Sequence, residues 1–332
     1  MYEASQADMA ALLEDEPSYR SRQVWENLHR RALLPREMTD LPIALRERLA
    51  GTLLPALEEV SRSESDGGDT IKFLWSLHDG SRIESVLMEY PDRVTVCVST
   101  QAGCAMACEF CATGQAGFSR HLSSGEIIEQ VARASRAALP RRVSHVVFMG
   151  MGEPLANYDQ TWTAVLRLHE DMGISARRLT ISTVGILPGI RRLAEESLPV
   201  NLAISLHAAN DSLRDELVPI NKRYPLADLA QACVEYTAAT RRRLSFEWAL
   251  IEDTNDRPSD AVELAKFVRP LRAHVNLIPL NATPGYPIKG SAPDRVRGFH
   301  RTLTELGVNA TVRSTRGADI DAACGQLAAR KK

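Results

Sequence analysis

From residue 94 onward the 332-residue chain alternates short β-branched runs with amphipathic stretches, and no other feature restricts its fold as strongly. The runs are 94–99, 143–149, 179–183, 200–206, 244–251 and 274–280. Helical spacing falls near 123–137, 158–171, 187–196, 226–240 and 258–269, with a further stretch at 292–306 before a short run at 310–313. Six strand–helix units in succession predict an α/β chain, its parallel sheet curled into an incomplete (β/α)6 barrel. In such barrels the functional groups sit at the C-terminal ends of the strands.

The residues ahead of this region read differently. Val24, Trp25, Leu28, Leu33 and Leu34 recur at roughly helical spacing, and Leu41-Pro42 opens a second segment over 44–49. Two apolar-rich runs, 71–77 and 83–88, flank Asp79-Gly80, a hairpin signal. The expected organisation is a helical module over 1–62, a β-hairpin linker over 63–92 and a core over 93–332.

Forty basic against 42 acidic residues leave a net charge of −2, which argues against a protein that coats nucleic acid by bulk attraction. Local patches stay open, with candidates at Arg30-Arg31, Arg141-Arg142, Arg177-Arg178, Arg191-Arg192, Arg241-Arg242-Arg243 and Arg330-Lys331-Lys332. The start of the chain has no basic stretch leading into an apolar one, and no apolar run approaches the roughly 20 residues that span a bilayer. The expectation is a cytoplasmic protein with no membrane partner. Thiols stay reduced in that compartment, so the six cysteines read as ligands, nucleophiles or core residues.

Cys104, Cys108 and Cys111 form a Cys-x3-Cys-x2-Cys loop directly after the first barrel strand. A 4Fe–4S cluster normally takes four thiolates, so three leave one iron open for another ligand. The spacing resembles that of radical S-adenosylmethionine (SAM) enzymes, in which the open iron chelates the amino and carboxylate groups of SAM. Close cysteines also bind zinc, but no neighbouring cysteine or histidine pair supplies a fourth ligand at the usual spacing. Phe110 fits an aromatic shield beside the third cysteine.

Other strand ends add polar groups. The turn Gly150-Met151-Gly152-Glu153-Pro154 follows the second strand, where glycines let backbone approach a ligand and Glu153 can receive the SAM ammonium. Ser182 ends the third strand, Ser205-Leu206-His207 the fourth and Asn281 the sixth. Cys233 falls in an amphipathic stretch and reads as a small core hydrophobe. Cys97 lies in the first strand, and Cys324 in a segment of polar and small residues where a core role is less natural.

Segments 96–122, 148–157 (FMGMGEPLAN), 205–207, 218–221 (VPIN), 275–281 and 319–327 (DIDAACGQL) together resemble the RlmN/Cfr family of radical-SAM RNA adenine methyltransferases. Thr315-Arg316-Gly317 is similar to the branch that methylates adenine C2 rather than C8. The resemblance implies that Cys324 carries a methyl group taken from one SAM. A second SAM yields a 5′-deoxyadenosyl radical that removes hydrogen from this group. The resulting methylene radical adds to the adenine, and a transient Cys97–Cys324 disulfide releases the protein–RNA link. It further implies Glu84 as proton acceptor, and Gly152, Glu153, Ser182, Ser205, Leu206, His207 and Asn281 as SAM-binding residues. One 4Fe–4S cluster would be held by Cys104, Cys108 and Cys111. Implied partners are 23S rRNA and tRNA and an electron donor such as flavodoxin or ferredoxin, with the enzyme a monomer. The helical module and the arginine pairs are the expected RNA-gripping surface. The alternatives are C8 methylation, a radical SAM enzyme acting on a peptide or small molecule, and a zinc-binding RNA adaptor.

Overall fold

A computed structural model describes residues 1–281 and 288–329. Three helices open the chain: α1 (Gln6–Leu12), α2 (Tyr19–His29) and α3 (Ile43–Thr52). The first escapes a search for apolar spacing because it buries only Met9, and its start is set by a reciprocal Ser5/Asp8 cap. The strands follow as β1 (Glu58–Ser65), β2 (Thr70–Ser76), β3 (Arg82–Tyr90), β4 (Arg93–Cys97), β5 (Gln101–Gly103), β6 (Phe118–His121), β7 (His145–Phe148), β8 (Leu179–Thr183), β9 (Asn201–Ser205), β10 (Ser245–Leu250), β11 (His274–Pro279) and β12 (Asn309–Val312). Interleaved with them are α4 (Ala112–Gln115), α5 (Ser124–Ala137), α6 (Tyr158–Glu170), α7 (Leu187–Glu195), α8 (Asp211–Leu217), α9 (Leu226–Thr240), α10 (Pro258–Val268) and α11 (Pro293–Glu305).

Ten strands share one sheet in the order β1-β2-β3-β4-β7-β8-β9-β10-β11-β12. From β4 to β12 every pairing is parallel, which gives the expected half-open barrel and one strand more than six. The short run at 310–313 is that extra strand, with Val312 opposite Leu277. Such strands, covered on both faces, read as continuous apolar runs, which is why they are legible in the sequence.

The hairpin forms around Asp79-Gly80, its five-residue turn closed by the Leu77 and Gly80 amides donating to Ser81 O and Leu77 O at 2.9 Å each. It is more than a linker: β3 pairs antiparallel with β4, and β1 pairs with β2, so three strands extend the barrel sheet. Strand β1 also crosses the expected boundary at 62/63; its exposed, polar sequence EEVSRSES hides it from an apolar-pattern search.

The helical module shares the barrel's core rather than standing apart. Trp25 Nε1 donates to Asp171 Oδ1 at 3.0 Å, Ala56 N to Glu129 Oε2 at 2.9 Å, and Arg136 pairs with Glu37. Among the described residues, no helix is long and apolar enough to cross a membrane.

Candidate active site

The three-cysteine loop stands on an antiparallel stem of β5 and β6. Gly103 permits its tight base: a Cβ there would lie 1.9 Å from Gly117 O, and Cys104 N donates to that same oxygen at 2.8 Å. Glu109 N donates to Leu217 O at 3.2 Å, tying the loop to α8. Cys104, Cys108 and Cys111 line one cleft at the C-terminal ends of the strands. Burial pushes the Cys104 thiol up to about 12 and Cys108 well above its usual value, with repulsion among the cysteines adding to both. Thiolates there need a cationic partner, which iron supplies. Among the described residues no three His, Cys, Asp or Glu side chains form a single-ion site. The fit to a cluster rests on the donor set, three thiols of one loop lining one cleft. Phe110 stacks edge-on against His207, 4.6 Å between ring centres.

The glycines after β7 allow close approach rather than a mere turn. A Cβ on Gly150 would sit 2.7 Å from Val98 C and O, and one on Gly152, at φ +100°, 2.8 Å from Gln101 N. Gly152→Ala therefore combines overpacking with a strained backbone and should cost about 2–4 kcal/mol, read as a lowered unfolding temperature. Glu153 follows, buried, its Oε1 and Oε2 accepting from Leu155 N and Val184 N at 2.9 Å each. Burial raises its carboxyl to about 7, and free lone pairs remain for an ammonium donor.

Ser182 and Ser205 also line the cleft, their hydroxyls 3.4 Å apart. His207, at φ +61°, accepts from Ala249 N through Nδ1 at 3.0 Å. Burial, and then Arg214, lowers its pKa to about 3, so the ring is neutral with its other nitrogen protonated. Two expected SAM-binding residues sit elsewhere. The Leu206 side chain is fully buried in the core, leaving only its backbone near the site. Asn281 lines a smaller adjoining cavity with Cys97 and Cys324.

Arg214 escapes a motif search, yet it organises this rim. Buried on α8, it donates to Leu206 O at 3.0 Å, Val184 O at 2.8 Å, Ser205 O at 3.2 Å and Asn221 Oδ1 at 2.8 Å. Asn221 of the VPIN motif is held in turn by Asp211 at 2.9 Å and Asp215 at 2.7 Å. The sequence signal was an Asn-Asp-Ser helix start, with Asn210 Oδ1 capping Leu213 N at 3.0 Å.

Cys324 lies where the two cavities meet and lines both. Its segment is clamped from two sides. On one, Ala112 N donates to Gly325 O at 2.8 Å and Thr113 to Leu327 O, fastening it to the three-cysteine loop. On the other, the antiparallel extension grips it: Ser65 bonds Asp319, Lys72 Nζ reaches Asp321 O at 3.3 Å, and Arg316 Nη1 reaches Glu89 O at 2.8 Å. Glu84 belongs to this clamp. Its Oε1 is 3.2 Å from Lys72 Nζ, and its Oε2 accepts from Ala328 N at 2.9 Å and Ala329 N at 3.2 Å. Glu84 lines neither cavity. Cys97, the last residue of β4, shares the smaller cavity with Cys324, and burial pushes its thiol up to about 12. Cys233 is a buried core residue on α9, as its pattern suggests.

The radical SAM superfamily signature matches residues 98–265. A "probable dual-specificity RNA methyltransferase RlmN" of Chloroflexus aurantiacus is 51% identical over 99% of this chain and 93% of its own. Its namesake in Salinispora tropica is 54% identical over 95% of this chain and 88% of its own. The crystal structure of a radical SAM methyltransferase from Sphaerobacter thermophilus superposes with a TM-score of 0.95 at 47% identity, covering 99% of both chains. The superfamily brings a 4Fe–4S cluster and SAM as cofactors, which the three cysteines and the polar rim fit. The chain is therefore a radical SAM RNA methyltransferase and belongs to the RlmN family.

Proposed function

We propose that the protein methylates C2 of an adenosine in 23S rRNA near the peptidyl-transferase centre, and of the adenosine 3′ of the anticodon in some tRNAs. The observation that carries this reading is Cys324, set between a cleft lined by three cysteines and a cavity holding a second buried thiol. C2 of adenine has neither nucleophilic character nor an acidic hydrogen, so ordinary displacement on SAM fails there. The cluster, when bound, supplies the electron that cleaves SAM to a hydrogen-abstracting radical.

Cys324 carries the methyl group in this reading, and Cys97 releases the product by forming a disulfide with it. Glu153 receives the SAM ammonium while Ser182, Ser205 and His207 line its pocket. Glu84 is the proton acceptor, and its bonds to Ala328 and Ala329 have to open first, because Lys72 and the two amides occupy both of its oxygens. The target base must leave its stack to reach the cleft.

Phosphate contacts come from the helical module over 1–62. Arg141-Arg142, Arg177-Arg178 and Arg241-Arg242-Arg243 precede β7, β8 and β10, which sets them at the barrel end opposite the cleft and disfavours them for gripping the target. The protein works in the cytoplasm as a monomer, with flavodoxin or ferredoxin as electron donor. The test compares RNA from cells with and without the gene against 2-methyladenosine and 8-methyladenosine standards. Loss of 2-methyladenosine is expected; an unchanged level sinks the proposal.

A further inference from the structure

Strand β12 ends at Val312, and the next residue stands at the junction of the two cavities. Arg313 N donates to Leu277 O at 2.8 Å, which carries the parallel ladder one residue on and fixes where the side chain starts. That side chain lines the large cleft with Cys324, and the smaller cavity with both Cys324 and Cys97. Its Nη1 lies 4.0 Å from the Met149 sulfur, a soft neighbour that carries no countercharge. Among the described residues, no carboxylate is within ion-pair distance of Arg313.

The other charged and titratable groups around Cys324 do not take this role. Arg316 is spent on Glu89 O, on Asp69 at 3.8 Å and on the Tyr90 ring at 4.4 Å. Across the cleft, His207 is neutral, and Glu153 and the three loop cysteines carry negative charge when ionised. Glu247 of β10 lines the cleft with its Oε1 accepting from Asn276 Nδ2 at 2.9 Å, while its buried Oε2 accepts no hydrogen bond among the described residues. Burial raises the Glu247 carboxyl, which weakens its claim on the guanidinium.

We propose that Arg313 is a positioning residue for methyl transfer to Cys324, holding that sulfur as a thiolate at the mouth of the cleft. This rests on the reading of Cys324 as methyl carrier. The thiol proton leaves to solvent. The sulfur lone pair then forms the new S–CH₃ bond while the methyl–sulfonium bond of SAM breaks, its electron pair staying on the departing sulfur. The products are S-methylated Cys324 and S-adenosylhomocysteine. Only a thiolate is an effective nucleophile, and an adjacent arginine is the cation least able to lose its charge. The pair of cysteines thereby acquires an order: Cys324 beside Arg313 accepts the methyl, and Cys97, buried within β4, stays protonated until the later step.

The test follows iodoacetamide labelling of the anaerobic holoenzyme between about pH 6 and 10, read by mass spectrometry on unmethylated tryptic peptide 317–330, which contains no other cysteine. Arg313→Met should lower the labelling rate of Cys324 at neutral pH about tenfold and leave the rate at the alkaline end unchanged, as expected when the cation facing a thiolate is lost. Arg313→Lys should restore most of the loss. Wild-type labelling across the range in Arg313→Met, or an equal loss in both variants, overturns the proposal. Since no RNA is present, a wrong RNA substrate leaves this outcome untouched. Failure of wild-type Cys324 to gain 14 mass units on addition of SAM, roughly one methylene, would instead remove the methyl-carrier reading beneath it.

Discussion

Cys97→Ala stalls the enzyme on its RNA. Reconstituted with iron and sulfide and supplied with SAM, reductant and a 23S rRNA fragment, this variant should accumulate a covalent protein–RNA species on a denaturing gel. Turnover should fall by at least about a thousandfold, as expected when one member of a catalytic unit is removed. The argument is geometric: Cys97 and Cys324 line one small cavity, and the thiols of the larger cleft, Cys104, Cys108 and Cys111, are assigned to the cluster. Alanine fills the same buried position at the end of β4 at a cost of about 1 kcal/mol, so the fold and the cluster loop persist. Nuclease digestion should leave a nucleotide on peptide 317–330, and the Cys97→Ala/Cys324→Ala double variant should show none. Normal turnover by the single variant would refute the second-thiol role.

The barrel was legible because parallel strands are apolar on both faces, so each of the six expected runs became a strand whose ends agree to within two residues. The loop cysteines stood out by their spacing and Glu153 by its glycine-rich turn after a strand, and the structure brings them, with Ser182 and Ser205, to one cleft. What escaped was set by partners distant in sequence. Strand β1 is polar and pairs only because β2 offers an edge. Glu84 looks like an exposed strand carboxylate, and only the fold shows that residues 328 and 329 cap it. The hairpin region read as a linker is in fact the platform that grips the Cys324 segment, through Ser65, Lys72, Glu84 and Glu89. Glu247 did leave a trace, a carboxylate in the middle of the apolar run 244–251. Arg313 left none, since an arginine closing a short strand is common.

Arg214→Met should be the most destabilising single change at the rim. The guanidinium binds Leu206 O, Val184 O, Ser205 O and Asn221 Oδ1, so one side chain ties the ends of β8 and β9 to the turn after α8. Methionine matches its length but donates nothing, and each buried acceptor left unpaired costs about 1–3 kcal/mol before water and relaxation recover part of it. A net loss of about 3–5 kcal/mol follows, the range for breaking a buried charged network, which at this chain length lowers the unfolding temperature by roughly 4–7 °C. Arg214 is also a positive charge near Cys108, and it opposes the burial that raises that thiol. Iron retained per chain after anaerobic gel filtration should therefore fall in Arg214→Met, and less in Arg214→Lys, which keeps the charge but not the fork. Asn221→Ala, which removes one acceptor from Arg214 and the amide donor to Asp211 and Asp215, should cost about 1–3 kcal/mol and leave iron content nearly unchanged. Equal unfolding temperatures for wild type and Arg214→Met would mean that the strand ends hold their places without this arginine, and that the VPIN segment serves something other than the rim.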